Sequence, residues 1–311
     1  MLPKESSSYR LIKGVVFAAI AAIMWALLPF ALKKGFAFAE PETLSWFRLA
    51  SSSVLLATWL LVTQKTQWLS RLKQMRPILL VASFGLAFNY VAYAYGLRLT
   101  TPADAQMLIQ MGPFMTTFIT FVFRQEKITL HFILGLFFAV LGFGIFYWDR
   151  SYHFFRSINQ YQEGFWWIFA ASLAWAIWAV LHRDHTRQQP GNAWIINLFV
   201  WTFCAVLVTP FAKINQIWPP SIPHIEEHIL LLLFLSANTI IAYGCYSLAY
   251  LYAPTVIVNL IVSTNPILAF LLTTEAIGWK SWVGGGIVSL GLAVTFGPQW
   301  YQIFQKWRNA R

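Results

Sequence analysis

The chain of 311 residues is 58% hydrophobic and 18% aromatic but only 11% charged, with a net charge of +11. Ordinary soluble domains carry about 25% charged residues, so too few charges are present to cover a water-facing surface, and a soluble fold is excluded. The basic residues are scattered between apolar blocks rather than gathered in one stripe, which assigns the charge to a membrane surface and not to nucleic acid.

About 20 apolar residues cross a bilayer as a helix, and ten such blocks occur along the chain. The first, 12–33, follows Lys4, Arg10 and Lys13 and contains Trp25. It is too long for the apolar core of a signal peptide and lacks a small-residue cleavage site. The second, 43–63, holds Arg48, whose long side chain is expected to snorkel toward the outer end and pair there with a carbonyl or carboxylate. The third, 77–97, holds Asn89, Tyr90 and Tyr93, and the fourth, 102–123, contains the stretch QMLIQMGPF. There Gln106 and Gln110 stand one helical turn apart, on one face, just before Pro113. The fifth block, 130–148, follows Glu126.

The sixth block, 162–182, carries Trp175 and Trp178, and the seventh spans 192–211. Ahead of the eighth, 228–250, HIEEH (224–228) matches the H-x-x-E-H zinc pattern through His224, Glu227 and His228. It follows WPPSIP in a connecting loop and has no third ligand nearby, so a chance match is expected, with no metal and no cofactor. The eighth block holds Asn238, Tyr243 and Tyr246, and the ninth, 254–274, holds Asn259, Ser263 and Pro266. The tenth, 280–297, follows Glu275. None of these blocks alternates in the manner of a membrane β-barrel. Cys204 and Cys245 both fall inside apolar blocks, as small core residues do.

With ten spans the two termini share a side. Fourteen Lys and Arg fall on that side, seven on the other, and Arg48 within a span. The positive-inside rule therefore predicts cytoplasmic termini.

The chain also repeats itself. At an offset of 150, GVVFAAIAAIMWA (14–26) overlies GFWWIFAASLAWA (164–176), bringing Trp25 onto Trp175. At 153, QMLIQMGPF overlies NLIVSTNPI (259–267), bringing Gln106 onto Asn259, Gln110 onto Ser263 and Pro113 onto Pro266. The same offset brings Tyr90 onto Tyr243 and Tyr93 onto Tyr246, and at 149 Glu126 meets Glu275. Five spans per half is an odd number, so the second half enters the membrane from the opposite side. The expectation is an all-α integral membrane protein of ten transmembrane helices in two inverted five-helix repeats, 12–148 and 162–297. Many secondary transporters place a solute site at such a repeat interface.

These motifs resemble the drug/metabolite transporter superfamily, specifically its EamA-type members. The resemblance rests on Trp25 and Trp175, on Arg48, on LRLTTPADAQMLIQMGPF and LAYLYAPTVIVNLIVSTNPI, and on the Gly-rich segments after Glu126 and Glu275. It covers essentially the whole chain, although no arginine in the seventh block mirrors Arg48. It implies a carrier in the cytoplasmic membrane, often an exporter of amino acids, nucleotide-like metabolites or drugs, with a central cavity between the halves. The partners expected are a small-molecule solute and the lipid bilayer, and the carrier a monomer or homodimer.

Two readings of the polar residues stand side by side. Amides glue membrane helices together for ~0.6–2 kcal/mol per hydrogen bond, and tyrosines pack as plain core. Recurrence at corresponding positions instead favours a cavity face built from Gln106, Gln110, Asn259 and Ser263. Tyr90, Tyr93, Tyr243, Tyr246, Trp25, Trp175 and Trp178 would then form its walls, with Asn89 and Asn238 as further amides. Pro113 and Pro266 are expected to leave carbonyls free for water or ligand. Glu126 and Glu275 are expected to cap helices or lock a gate. No carboxylate lies near the middle of a block, so no proton relay is visible.

Overall fold

The computed structural model describes residues 7–73, 75–124, 128–148, 160–219, 224–273 and 278–297. Among these, all regular structure is helical. The first half contributes α1 (Ser7–Gly35), α2 (Pro41–Gln64), the short α3 (Gln67–Leu72), α4 (Ile78–Leu99), α5 (Pro102–Leu108), α6 (Met111–Arg124) and α7 (Leu130–Phe146). The second contributes α8 (Gln160–Gln188), α9 (Ala193–Val208), α10 (Ile225–Tyr252), α11 (Thr255–Val262), α12 (Asn265–Leu272) and α13 (Trp279–Thr295).

Eight segments are long and apolar enough to cross a membrane: α1, α2, α4, the α5–α6 pair, α8, α9, α10 and the α11–α12 pair. The fifth and tenth apolar blocks form the shorter α7 and α13, each of 17 residues, or roughly 26 Å of helix. The protein is therefore a multi-pass helical membrane protein in which the last helix of each half is shorter than the eight spanning segments.

Its polarity is inverted relative to a soluble fold. Val62 and Phe123 are each 78% exposed, and Phe84, Phe137 and Leu230 also face outward, whereas Arg48, Gln110, Asn238 and Thr239 are buried. An apolar exterior this extensive suits lipid and not water.

Each of the two apolar blocks 102–123 and 254–274 forms a pair of short helices, and the proline chemistry explains where they break. A proline has no N–H for the carbonyl four residues earlier. Counting back from Pro113 gives Ile109, directly after α5, and from Pro266 gives Val262, the last residue of α11. The freed carbonyls are not left open to water or ligand as expected: Gly112 N donates to Ile109 O at 2.9 Å. Asn265 Nδ2, with its amide oriented to satisfy its neighbours, donates to Val262 O at 3.1 Å.

Helix packing crosses between the halves in matched pairs. Extensive packing joins α4 to α8 and, with the halves exchanged, α10 to α1. The same exchange relates α6–α8 to α12–α1 and α9–α4 to α2–α10, while α2–α9 and α7–α13 map onto themselves. In the α7–α13 contact, glycines face backbone: a Cβ on Gly142 would lie 2.7 Å from Gly284 O, and one on Gly284 2.6 Å from Gly142 O. Small residues let membrane helices approach this closely, replacing the hydrophobic drive that lipid cannot supply.

Candidate functional site

A cavity of about 70 Å³ lies at the centre of the bundle, room for roughly five waters. Helix α1 contributes Trp25 and Leu28, α2 Arg48, and α4 Asn89, Tyr90 and Tyr93. The α5–α6 region adds Gln106, Ile109, Gln110 and Pro113, while the second half supplies Trp175, Tyr243, Val262 and Asn265. Its walls are aromatic. Trp25 meets Trp175 edge-to-face with ring centroids 6.4 Å apart, and Tyr243 likewise at 5.3 Å. Trp178 and Tyr246 stand behind this layer, with Tyr246 5.0 Å from Trp25 and Trp178 5.2 Å from Tyr243. Such edge-to-face rings hold one another in place beyond simple burial.

The amides hold α1. Pro29 stands inside α1, so Trp25 O has lost its helical N–H partner. Gln106 Nε2 replaces it, donating to Trp25 O at 2.8 Å. One residue earlier, Asn238 Nδ2 donates to Met24 O at 2.6 Å, and Asn265 Nδ2 reaches Ala22 O at 3.0 Å. Asn89 Nδ2 makes the corresponding bond to Ala171 O of α8, at 2.9 Å. The amide nitrogens are thus engaged by the scaffold. Several of the oxygens are not: Gln106 Oε1, Gln110 Oε1 and Asn238 Oδ1 are buried without a hydrogen-bond partner. Unmade acceptors in such surroundings cost ~1–3 kcal/mol each, and two of them belong to residues lining the cavity.

Arg48 departs from its sequence-based expectation. It neither snorkels nor pairs with an outer carboxylate; it is 2% exposed, and its guanidinium sits 4.4 Å from the centre of the Tyr90 ring. The local sequence explains the direction. Ser45 and Ser52 flank Arg48 at i−3 and i+4, on the same helical face. Ser45 Oγ donates to Tyr90 O and Ser52 Oγ to Ser236 O, each at 3.0 Å. Those bonds turn this face of α2 inward, between α4 and α10.

The lining brings together Trp25, Arg48, Asn89, Tyr90, Tyr93, Gln106, Gln110, Pro113, Trp175 and Tyr243. Asn259 and Ser263 lie outside it. Asn259 Oδ1 accepts from Tyr250 OH at 2.8 Å, and Ser263 Oγ turns back to Leu260 O at 2.7 Å. Pro266, Trp178, Asn238 and Tyr246 are also set behind the lining. The polar lining residue from the ninth block is instead Asn265, which sequence comparison passed over because its counterpart at offset 153 is Gly112, with no side chain to compare. An asparagine directly before a mid-span proline was its signal. Glu126 and Glu275 lie outside the described residues.

In HIEEH, His228 Nε2 engages Ile217 O at 2.8 Å, and its ring packs beside Phe38 and Trp218. The imidazole is a strut beneath the connecting loop. Among the described residues, no group of three or more His, Cys, Asp or Glu is placed to hold a metal.

A family model described as the EamA-like transporter family matches the chain twice, over residues 12–148 and 162–297. The chain belongs to that family. As an EamA-like transporter it is 26% identical over 260 residues to an uncharacterized transporter of Haemophilus influenzae, covering 84% of this chain and 83% of the relative. To the uncharacterized inner membrane transporter YhbE of Escherichia coli it is 22% identical over 281 residues, covering 89% and 85%. One crystal structure shares the fold with a TM-score of 0.66 at 17% identity, covering 93% of this chain and 98% of that one. EamA-like membership and these relatives make a membrane transporter of the drug/metabolite type.

Proposed function

We propose that this EamA-like transporter is a secondary carrier that moves small amphipathic metabolites, amino acids or similar compounds, by alternating access. In this reading its halves, 12–148 and 162–297, form an inverted repeat of ten spans in the cell membrane. Both termini are cytoplasmic, and net flux is outward. The carrying observation is the exchange of helix contacts between the halves around one central, aromatic, amide-lined cavity. A pair of equivalent halves can rock about a fixed site and open it to either side in turn. Hydrogen bonds between the halves bound the cavity at both ends, which supports the same reading. Toward one end, Glu40 N donates to Gln216 Oε1 and Lys213 N to Thr43 Oγ1. Toward the other, Arg10 donates to Leu251 O and Arg71 to Asn192 Oδ1. Breaking one set while keeping the other would open a single side.

A channel would need rings of charge or carbonyls along a continuous path, and the cavity is lined instead by tryptophan and tyrosine rings, amides, apolar side chains and one arginine. Drug efflux would use the same cavity with bulkier cargo.

Counterflow tests the carrier reading. Proteoliposomes preloaded with unlabelled amino acids, nucleosides or aromatic cations are diluted into the labelled compound, with proton and sodium gradients set separately. A carrier accumulates label transiently when its own solute is inside. Label that merely equilibrates, at a rate indifferent to the internal solute, would instead mark a channel.

A further inference from the structure

We propose that Arg48 is an anion anchor, so that the cavity takes small organic monoanions, carboxylates with an apolar or aromatic body. This rests on the carrier reading above and names its solute class.

Arg48 is the charged residue among those lining the cavity. Arginine keeps its charge in proteins, and a buried cation without a counter-ion is costly. Here the Tyr90 ring covers one face of the guanidinium. The donors, however, lie in the guanidinium plane. Nε and Nη2, which together form the side fork that grips a carboxylate through two parallel bonds, are buried and have no hydrogen-bond partner. Among the described residues, the buried carboxylates are Glu42 and Asp104, and neither lines the cavity. A satisfied structural arginine would have its fork filled by carbonyls, as Trp25 O is filled by Gln106.

The second half supplies no matching cation. Offsets of 150 to 153 from Arg48 fall on Leu198, Phe199, Val200 and Trp201. One fork accepts one oxyanion, and the aromatic walls on either side accept an apolar body. The unpartnered Gln106 Oε1 and Gln110 Oε1 add acceptors for a donor on the solute. Single charge, flat body and a neighbouring N–H or O–H together describe the ligand.

The test uses acid and amide pairs of one shape: benzoate against benzamide, phenylacetate against phenylacetamide, L-phenylalanine against its amide. Affinity is read from protection against thermal denaturation of the detergent-purified full chain. The expected result is at least tenfold tighter binding of one or more acids than of the matching amide. Arg48→Gln should erase that ratio while the protein still elutes as a folded species. Arg48→Lys keeps the charge but loses the fork, and should reduce the ratio at least threefold. Equal protection by acid and amide, or protection by neither, overturns the anchor. So does an unchanged ratio in Arg48→Lys, which carries the test alone if Arg48→Gln does not fold. Counterflow of a neutral or cationic solute with no preference for acids would sink the anchor and leave the carrier standing. Absence of counterflow for every solute would sink the carrier itself.

Discussion

Gly142→Leu should be among the most destabilising single substitutions in the chain, costing ~1–3 kcal/mol or more through overpacking. Any Cβ at 142 meets the Gly284 carbonyl and the Val288 side chain and backbone N, and backbone cannot swing aside as a flexible side chain can. The α7–α13 pair would have to separate, and each of these helices has only 17 residues. Gly144, two residues along the same helix, has nothing within 4 Å of its would-be Cβ. Gly144→Leu should therefore be neutral or slightly stabilising, since leucine is the better helix former. Melting temperatures in detergent for the two variants, measured side by side, check this; equal values would mean that the close helix contact contributes little.

Gln106→Leu should cost ~1–3 kcal/mol of stability, because it strips Trp25 O of the donor that substitutes for the N–H missing at Pro29. The effect has a distinctive signature. Pro29→Ala restores a helical N–H to Trp25 O, so the double variant Gln106→Leu/Pro29→Ala should melt well above the sum of the two single effects. A double-mutant cycle isolates that coupling. Strict additivity would mean that the Gln106–Trp25 bond does not compensate the proline. Solute affinity should fall in Gln106→Leu as well and should not return in the double variant, since the cavity loses a polar lining residue whatever happens at the carbonyl. Glue and binding surface are here two ends of one side chain.

The membrane class and the all-helical fold were legible because composition and block length are summed over hundreds of residues. The cavity was legible in part, and the pattern of hits has a physical cause. Trp25 and Trp175, and Tyr90 and Tyr243, recur at nearly one offset because they occupy equivalent places in two similar halves. Arg48 and Asn265 have no such echo: their counterparts are apolar residues and Gly112, so repetition could not raise them. Asn259 echoed Gln106 in sequence but not in position. Its helix ends at Val262, and Tyr250 reaches in to take its carbonyl oxygen. The helix breaks themselves were foreshadowed by Pro113 and Pro266. The fate of the carbonyls they release depends on Gly112 N and the Asn265 amide, whose geometry appears only once the chain is folded.

The central claim is that one cavity serves both faces of the membrane without forming a through-path. It is tested most directly by a single thiol at Gln110, in the middle of the broken fourth span. Gln110→Cys, in a chain also carrying Cys204→Ala and Cys245→Ala, is exposed to a membrane-impermeant thiol reagent in right-side-out and in inverted vesicles. A reporter thiol is enclosed in the lumen of each. Alternating access predicts that the introduced thiol is modified in both preparations while the enclosed reporter stays unlabelled. Modification from one face alone under every solute and gradient condition would contradict alternating access, and a labelled reporter would show a pore.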